Sequence, residues 1–179
     1  MVTYSVTVIN SLLRTCMNTS LATTDRGRAF EELFCYLLDQ VPGLRTRRNA
    51  LNHYNSEEID IAVANTRMSN GLACFPHLFL VECKNWSNPV DSSTIAEFID
   101  KLENRRIELG VLVVANGVTG DPETLKSAYH KAAMAQSRGH RLIVLSLDDL
   151  LKASTTREFT ELLVDRLLGV VVSGTFQLL

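Results

Sequence analysis

Residues 79–84 constrain the fold more than any other stretch, because an apolar run, Phe79-Leu80-Val81, ends in an acid and a base two positions apart, Glu82-Cys83-Lys84. Successive side chains of a strand point to opposite faces. Leu78, Leu80, Glu82 and Lys84 therefore share one face, and Phe79, Val81 and Cys83 share the other. Both faces begin apolar, as in a strand buried on two sides, and one then turns ionic. Placing a carboxylate and an ammonium at the end of a buried strand is costly unless they are paired or bound to a metal, so this is where chemistry is expected. For an isolated Glu-x-Lys, a plain ion pair at a sheet edge is the preferred reading, by roughly ten to one. Its meaning rests on what folds around it.

Upstream, Thr24 or Asp25 caps a helix whose apolar positions Ala29, Phe30, Leu33, Phe34, Leu37, Leu38 and Val41 repeat at three and four, and Pro42-Gly43 stops it. Glu31 borders that buried stripe, whereas Glu32 is more exposed. A weaker helical spacing of Val8, Ile9, Leu12, Leu13 and Cys16 predicts an earlier helix. From Leu44 the period becomes strand-like through Leu51, and a polar turn follows over 52–56. Residues 57–64 then alternate, with Ile59, Ile61 and Val63 on one face and Asp60, Ala62 and Ala64 on the other. Small alanines allow another element to approach closely, which puts Asp60 near the mouth of something packed.

Downstream of the central strand, Ser92 or Ser93 starts a helix with Ile95, Phe98, Ile99 and Leu102 facing inward. Residues 109–115 form a continuous apolar run, the signature of a buried strand. Asp121 and Pro122 open a helix that runs to about Ser137, and 141–145 reads as a further buried strand. Short helices are expected over 147–153 and 157–168, with an edge strand over 170–179. This order implies an α/β sandwich around a mixed sheet, the early strands being antiparallel neighbours.

With 179 residues, 46% of them hydrophobic, the chain suits one domain spanning 1–179. A formal charge of -2 gives no overall basic field, so contact with nucleic acid has to rely on local clusters. The candidates are Arg45, Arg47 and Arg48, then Arg26 with Arg28, and Arg105 with Arg106. Cys16, Cys35, Cys74 and Cys83 show no C-x-x-C spacing, and the four histidines form no zinc-binding grouping. A metal here would be held by oxygen. No run approaches the ~20 apolar residues of a membrane span, and no signal peptide opens the chain. A cytoplasmic protein without membrane contact is expected.

Asp60 and Glu82 lie on strands that are consecutive apart from a loop, and such strands usually pair. Their carboxylates would then repel unless a hard cation stood between them. Mg²⁺ fits best, since it takes one or two carboxylates, keeps several waters and bridges to phosphate oxygens. Lys84 is placed to orient a water or to stabilise charge on a phosphorane-like transition state.

An acid on the first long helix (Glu31), an acid on the second strand (Asp60) and Glu82-Cys83-Lys84 on the third resemble the PD-(D/E)XK nuclease superfamily. Residues 26–31, 58–61 and 82–86 resemble its Mrr-like, type IV restriction endonuclease branch, over about 25–145 of the chain. The resemblance implies a restriction-endonuclease-like αβββαβ core, a mixed central sheet flanked by helices, followed by a helical and strand extension over 146–179. It also implies that Asp60, Glu82 and the backbone carbonyl of Cys83 bind Mg²⁺, with Mn²⁺ as a substitute, that Lys84 assists the attacking water, and that Glu31 adds a metal or water contact. Ile59 stands where the superfamily's proline usually precedes the aspartate. Arg45, Arg47, Arg48, Asn85 and Trp86 are the candidate DNA contacts, Trp86 either stacking on a nucleotide or rimming the cleft.

The implied activity is a Mg²⁺-dependent DNA endonuclease acting in restriction, defence or repair. The alternative is an inactive nuclease-fold module for DNA binding or assembly. Mrr-like enzymes often carry a separate DNA-reading domain for which these residues leave no room. A homodimer or a separate DNA-recognition subunit is therefore the expected partner.

Overall fold

The computed structural model describes residues 1–51, 58–119 and 128–176. The turn expected over 52–56, the helix start at 121–123 and the last three residues of the tail lie outside them. Two helices come first, α1 (Val6–Met17) and α2 (Thr23–Asp39). A strand trio follows, β1 (Leu44–Leu51), β2 (Glu58–Asn65) and β3 (Leu78–Lys84), then α3 (Ser92–Arg105), β4 (Leu109–Val114), α4 (Ala128–Ser137) and β5 (Arg141–Ser146). The chain closes with α5 (Leu147–Lys152) and α6 (Thr156–Ser173).

The five strands form one sheet in sequence order, β1-β2-β3-β4-β5. The first three pair antiparallel and the last three parallel. The expected mixed sheet flanked by helices is present, and its early strands are antiparallel neighbours.

Register decides what each face carries. Ile61 lies opposite Val81 and Val63 opposite Phe79, so these side chains share a face; Ala62 opposite Leu80 and Ala64 opposite Leu78 define the other. Arg48, opposite Ile61, reaches Glu31 and Glu32 of α2, which assigns α2 to the Ile61–Val81 face. α3 covers the Leu80 face. Gly110 lies beside Leu80 there, and a Cβ on it would come within 2.7 Å of Leu102 and 2.9 Å of Phe98. Glycine at 110 thus lets α3 sit close over the sheet. All six residues of β4 are buried, as its unbroken apolar run requires.

The covering by α3 does not extend to the start of β3. Leu78 is 57% exposed, so the strand is not buried on both faces along its whole length as its apolar run suggests. What remains open is a shallow strip over Ala62, Ala64 and Leu78, flanked by Arg45 and Arg47.

The tail differs from the expected edge strand. α6 continues through Val170 to Ser173 and ends at Gly174, whose φ of 80° is a left-handed cap. Phe159, Leu163, Leu167 and Val170 recur at helical spacing and are all buried, so the apolar stripe of the helix outweighs the strand preference of three consecutive valines. A capping box at Thr155 and Glu158 starts the helix. The amino terminus anchors here: the Val2 N–H donates to Thr156 Oγ1, and Tyr4 packs edge-on against Phe159.

Candidate functional site

The carboxyl end of β3 and the start of β2 bring together the acid of one strand and the acid-x-lysine of the other. By register Asp60 lies across from Glu82, continuing the Ile61–Val81 and Ala62–Leu80 pairs. The backbone N–H of Cys83 donates to Asp60 Oδ2 at 2.8 Å. On the far side of Asp60 the β1–β2 ladder keeps its register but lacks one pair, Asn49 with Asp60. Asn49 has φ of 50°, a left-handed conformation that asparagine tolerates, and it drops out of the pairing between Arg48 and Ala50.

Glu82 is 4% exposed and lies between two ammonium groups. Lys84 Nζ is 2.8 Å from Oε1; Lys101, from α3, donates to Oε1 at 2.9 Å and to Oε2 at 2.8 Å. Burial alone would lower the Lys84 pKa, but the charge and hydrogen bond of Glu82, with Asp60 adding to them, carry it above the ordinary value. Lys84 stays an ammonium, and its Nζ also stands 5.4 Å from the centre of the Trp86 ring, in cation–π range.

The other two acids are held in the opposite sense. Burial first and the charge of Glu82 second push the Asp60 carboxyl up to about 6, against the Cys83 N–H and the two lysines. Glu31 rises to about 7, by burial and then by the charge of Asp60, with Arg48 only partly offsetting. Arg48 is 3.5 Å from Glu31 and 2.9 Å from Glu32. Acids destabilised by one another mark a place suited to a cation.

Glu31, Asp60 and Lys84 line a cleft of about 610 Å³ rimmed by Trp86, which is 45% exposed. A second cleft, of about 520 Å³, opens on the α3 side between Lys101, Glu97 and Asp100. Asp60 and Lys84 line both, forming the ridge between them.

The candidate DNA contacts separate into three groups. Arg45 and Arg47 are exposed on the open strip, on the sheet face that also carries Asp60. Arg48 points to the opposite face and is engaged by Glu31 and Glu32. Asn85 Nδ2 donates to the backbone carbonyls of Cys16 and Arg26, so its amide ties α1 and α2 to the end of β3, while Trp86 stays on the rim.

Sequence reasoning missed Lys101. The available signal was its place at the border of the Ile95, Phe98, Ile99 and Leu102 stripe, one turn after Phe98, where a long cation can reach along a buried face.

A comparison with known families decides the relationship. The restriction endonuclease family with the Mrr-type catalytic domain matches residues 25–154, which include Glu31, Asp60, Glu82, Lys84 and Lys101. The chain belongs to this family. It carries a restriction-endonuclease-like nuclease domain, and the mixed sheet with helices on both faces is the fold of that class. Among solved structures, the Mrr-type chain is similar to a crystal structure described as that of a protein of unknown function, AF1548, at 14% identity and a TM-score of 0.42. The similarity covers 68% of this chain and 63% of that one. No curated protein matches.

Domains of this class generally use divalent metals, and the donors present can be judged against that need. Among the described residues no group of three or more His, Cys, Asp or Glu side chains is gathered to hold a metal ion. Glu31, Asp60 and Glu82 thus do not form a three-carboxylate cage. The pair that remains is nevertheless suitable. Asp60 Oδ1 makes no hydrogen bond among the described residues, and Glu82 supplies a second hard oxygen beside it, a number of carboxylates sufficient for Mg²⁺.

Proposed function

We propose that this Mrr-type domain is a Mg²⁺-dependent DNA endonuclease, acting in restriction, defence or repair, with Mn²⁺ as a substitute. The observation that carries the reading is the Asp60 and Glu82 pair, one Asp60 oxygen without a hydrogen bond among the described residues and one lysine 2.8 Å from the other acid, on the wall of a cleft with an exposed indole at its rim. Asp60, Glu82 and the carbonyl of Cys83 would hold the cation, which when bound supplies Lewis acidity to the scissile phosphodiester. The protein's own groups do the rest. Lys84, kept cationic, offers donors to the phosphate oxygens as negative charge builds on them. Glu31, with a carboxyl near 7, is matched to accept a proton from the attacking water at neutral pH. Trp86 stacks on an unpaired or flanking base, and Arg45 and Arg47 neutralise phosphates along the open strip.

Double-strand cutting calls for two such sites, hence a homodimer or a separate DNA-recognition subunit. We place the protein in the cytoplasm, where its four free cysteines would stay reduced.

Supercoiled plasmid incubated with purified protein and Mg²⁺ should be nicked or linearised, and Asp60→Ala and Lys84→Ala preparations should leave it intact. Equal cutting by the variants would assign the activity to a contaminant. One observation favours the inactive binding or assembly module: both oxygens of Glu82 are already engaged by ammonium groups. For that reading, calorimetric titration of the protein with Mg²⁺ and Mn²⁺ should produce no binding heat at any concentration.

A further inference from the structure

Glu82 has more cation than its motif requires. Lys84 belongs to the acid-x-lysine pattern and contacts one carboxylate oxygen; Lys101 belongs to no motif and contacts both. Its side chain is 16% exposed, mostly withdrawn from solvent along α3. Glu82 itself sets one negative charge against the two ammonium groups of Lys84 and Lys101. A divalent ion adds two positive charges to that balance, and an ammonium within 3 Å of its ligand opposes it strongly at low dielectric. One ammonium has to give way.

The two lysines differ in freedom to leave. Lys84 is fixed on the strand and lies against the Trp86 ring. Lys101 reaches in from a helix on a flexible four-carbon stem, through a cleft also lined by Glu97 and Asp100, which offer it other carboxylates. We propose that Lys101 is a positioning residue, the built-in counter-cation of Glu82. It holds the carboxylate while no metal is bound and is displaced toward Glu97 or Asp100 when a divalent cation binds. This rests on the reading of Asp60 and Glu82 as cation ligands.

Calorimetric titration of Mg²⁺ into the DNA-free protein tests it. Lys101→Met should bind Mg²⁺ about tenfold more tightly than wild type, the scale of a close charge pair removed. Lys101→Arg, which keeps the charge, should bind no more tightly than wild type. Unchanged or weaker binding by Lys101→Met, with wild type binding normally, overturns the role of Lys101 alone. No Mg²⁺ binding by either protein instead overturns the ligand assignment, and this proposal with it. Nitrogen-detected NMR of the lysine ammonium groups gives a readout on wild type that survives a misfolded Lys101→Met. A slowly exchanging signal, assigned by its loss in Lys101→Arg, should exchange rapidly once Mg²⁺ is added. Its persistence at saturating Mg²⁺ overturns the displacement.

Discussion

The peptide N–H of Cys83 donates to Asp60 Oδ2 at 2.8 Å, so the acid of β2 is clamped to the backbone between the two charged residues of β3. One oxygen of Asp60 is thereby fixed in direction and the other left facing the clefts. A strand pairing, rather than a flexible side-chain contact, sets the spacing of the acids, and the antiparallel register across Ile61 and Val81 maintains it. Replacing Asp60 with Asn should abolish plasmid cutting while the fold survives, since an amide oxygen can still accept from Cys83. Circular dichroism and the cutting assay, run on the same preparation, check both halves.

The acids also set a pH dependence. Asp60 near 6 and Glu31 near 7 lie above the ~3.9 and ~4.3 of unfolded carboxyls. Between about pH 4 and 7 the folded state therefore holds more protons than the unfolded one, and stability falls as pH rises through that window. Metal-free protein should resist urea better at pH 5 than at pH 7.5, and Asp60→Asn should exceed wild type at pH 7.5. A wild type that gains stability from pH 5 to 7.5 would contradict the burial of these acids.

Removing Glu82 should be costly whatever the catalytic outcome. Glu82→Ala leaves Lys84 and Lys101, both mostly buried, facing one another without their shared carboxylate. The expected loss is about 3 kcal/mol in a denaturant titration, the cost of breaking a buried pair from one side. A loss below about 1 kcal/mol would mean that water reaches the site freely.

The arginines should separate by assay. Arg47→Ala, on the exposed strip, should weaken DNA binding and reduce the salt slope by about 1. Arg48→Ala should cost about 1 kcal/mol of stability by freeing Glu31 and Glu32, with a smaller effect on the salt slope. Indistinguishable salt slopes for the two variants would remove the distinction.

Gly110 offers a test of α3 that touches no charged group. Gly110→Ala places a methyl against Leu102 and Phe98 and should cost about 2 kcal/mol by overpacking. Because the displaced helix carries Lys101, Mg²⁺ binding should change as well. Unaltered Mg²⁺ affinity with lowered stability would show that the helix shifts without moving the ammonium.

Local pattern alone determined much of this protein. Alternation placed Asp60 opposite in sense to Ile59 and Ile61, and the three-and-four repeat after Asp25 placed Glu31 beside a buried stripe, because these periods are properties of a backbone's own geometry. The order of elements and the acid-x-lysine at the end of β3 were legible for the same reason. Tertiary structure decided the rest. Whether Arg45, Arg47 and Arg48 act together depends on which sheet face α2 covers, and that is settled by pairing across strands. The length of α6 depended on what Val170 packs against, since three valines by themselves favour a strand and only burial of the helical stripe overrides that preference. Lys101 reached Glu82 from a helix that Gly110, beside Leu80, lets lie close to the sheet. A contact between side chains 19 residues apart leaves no periodic trace in the chain.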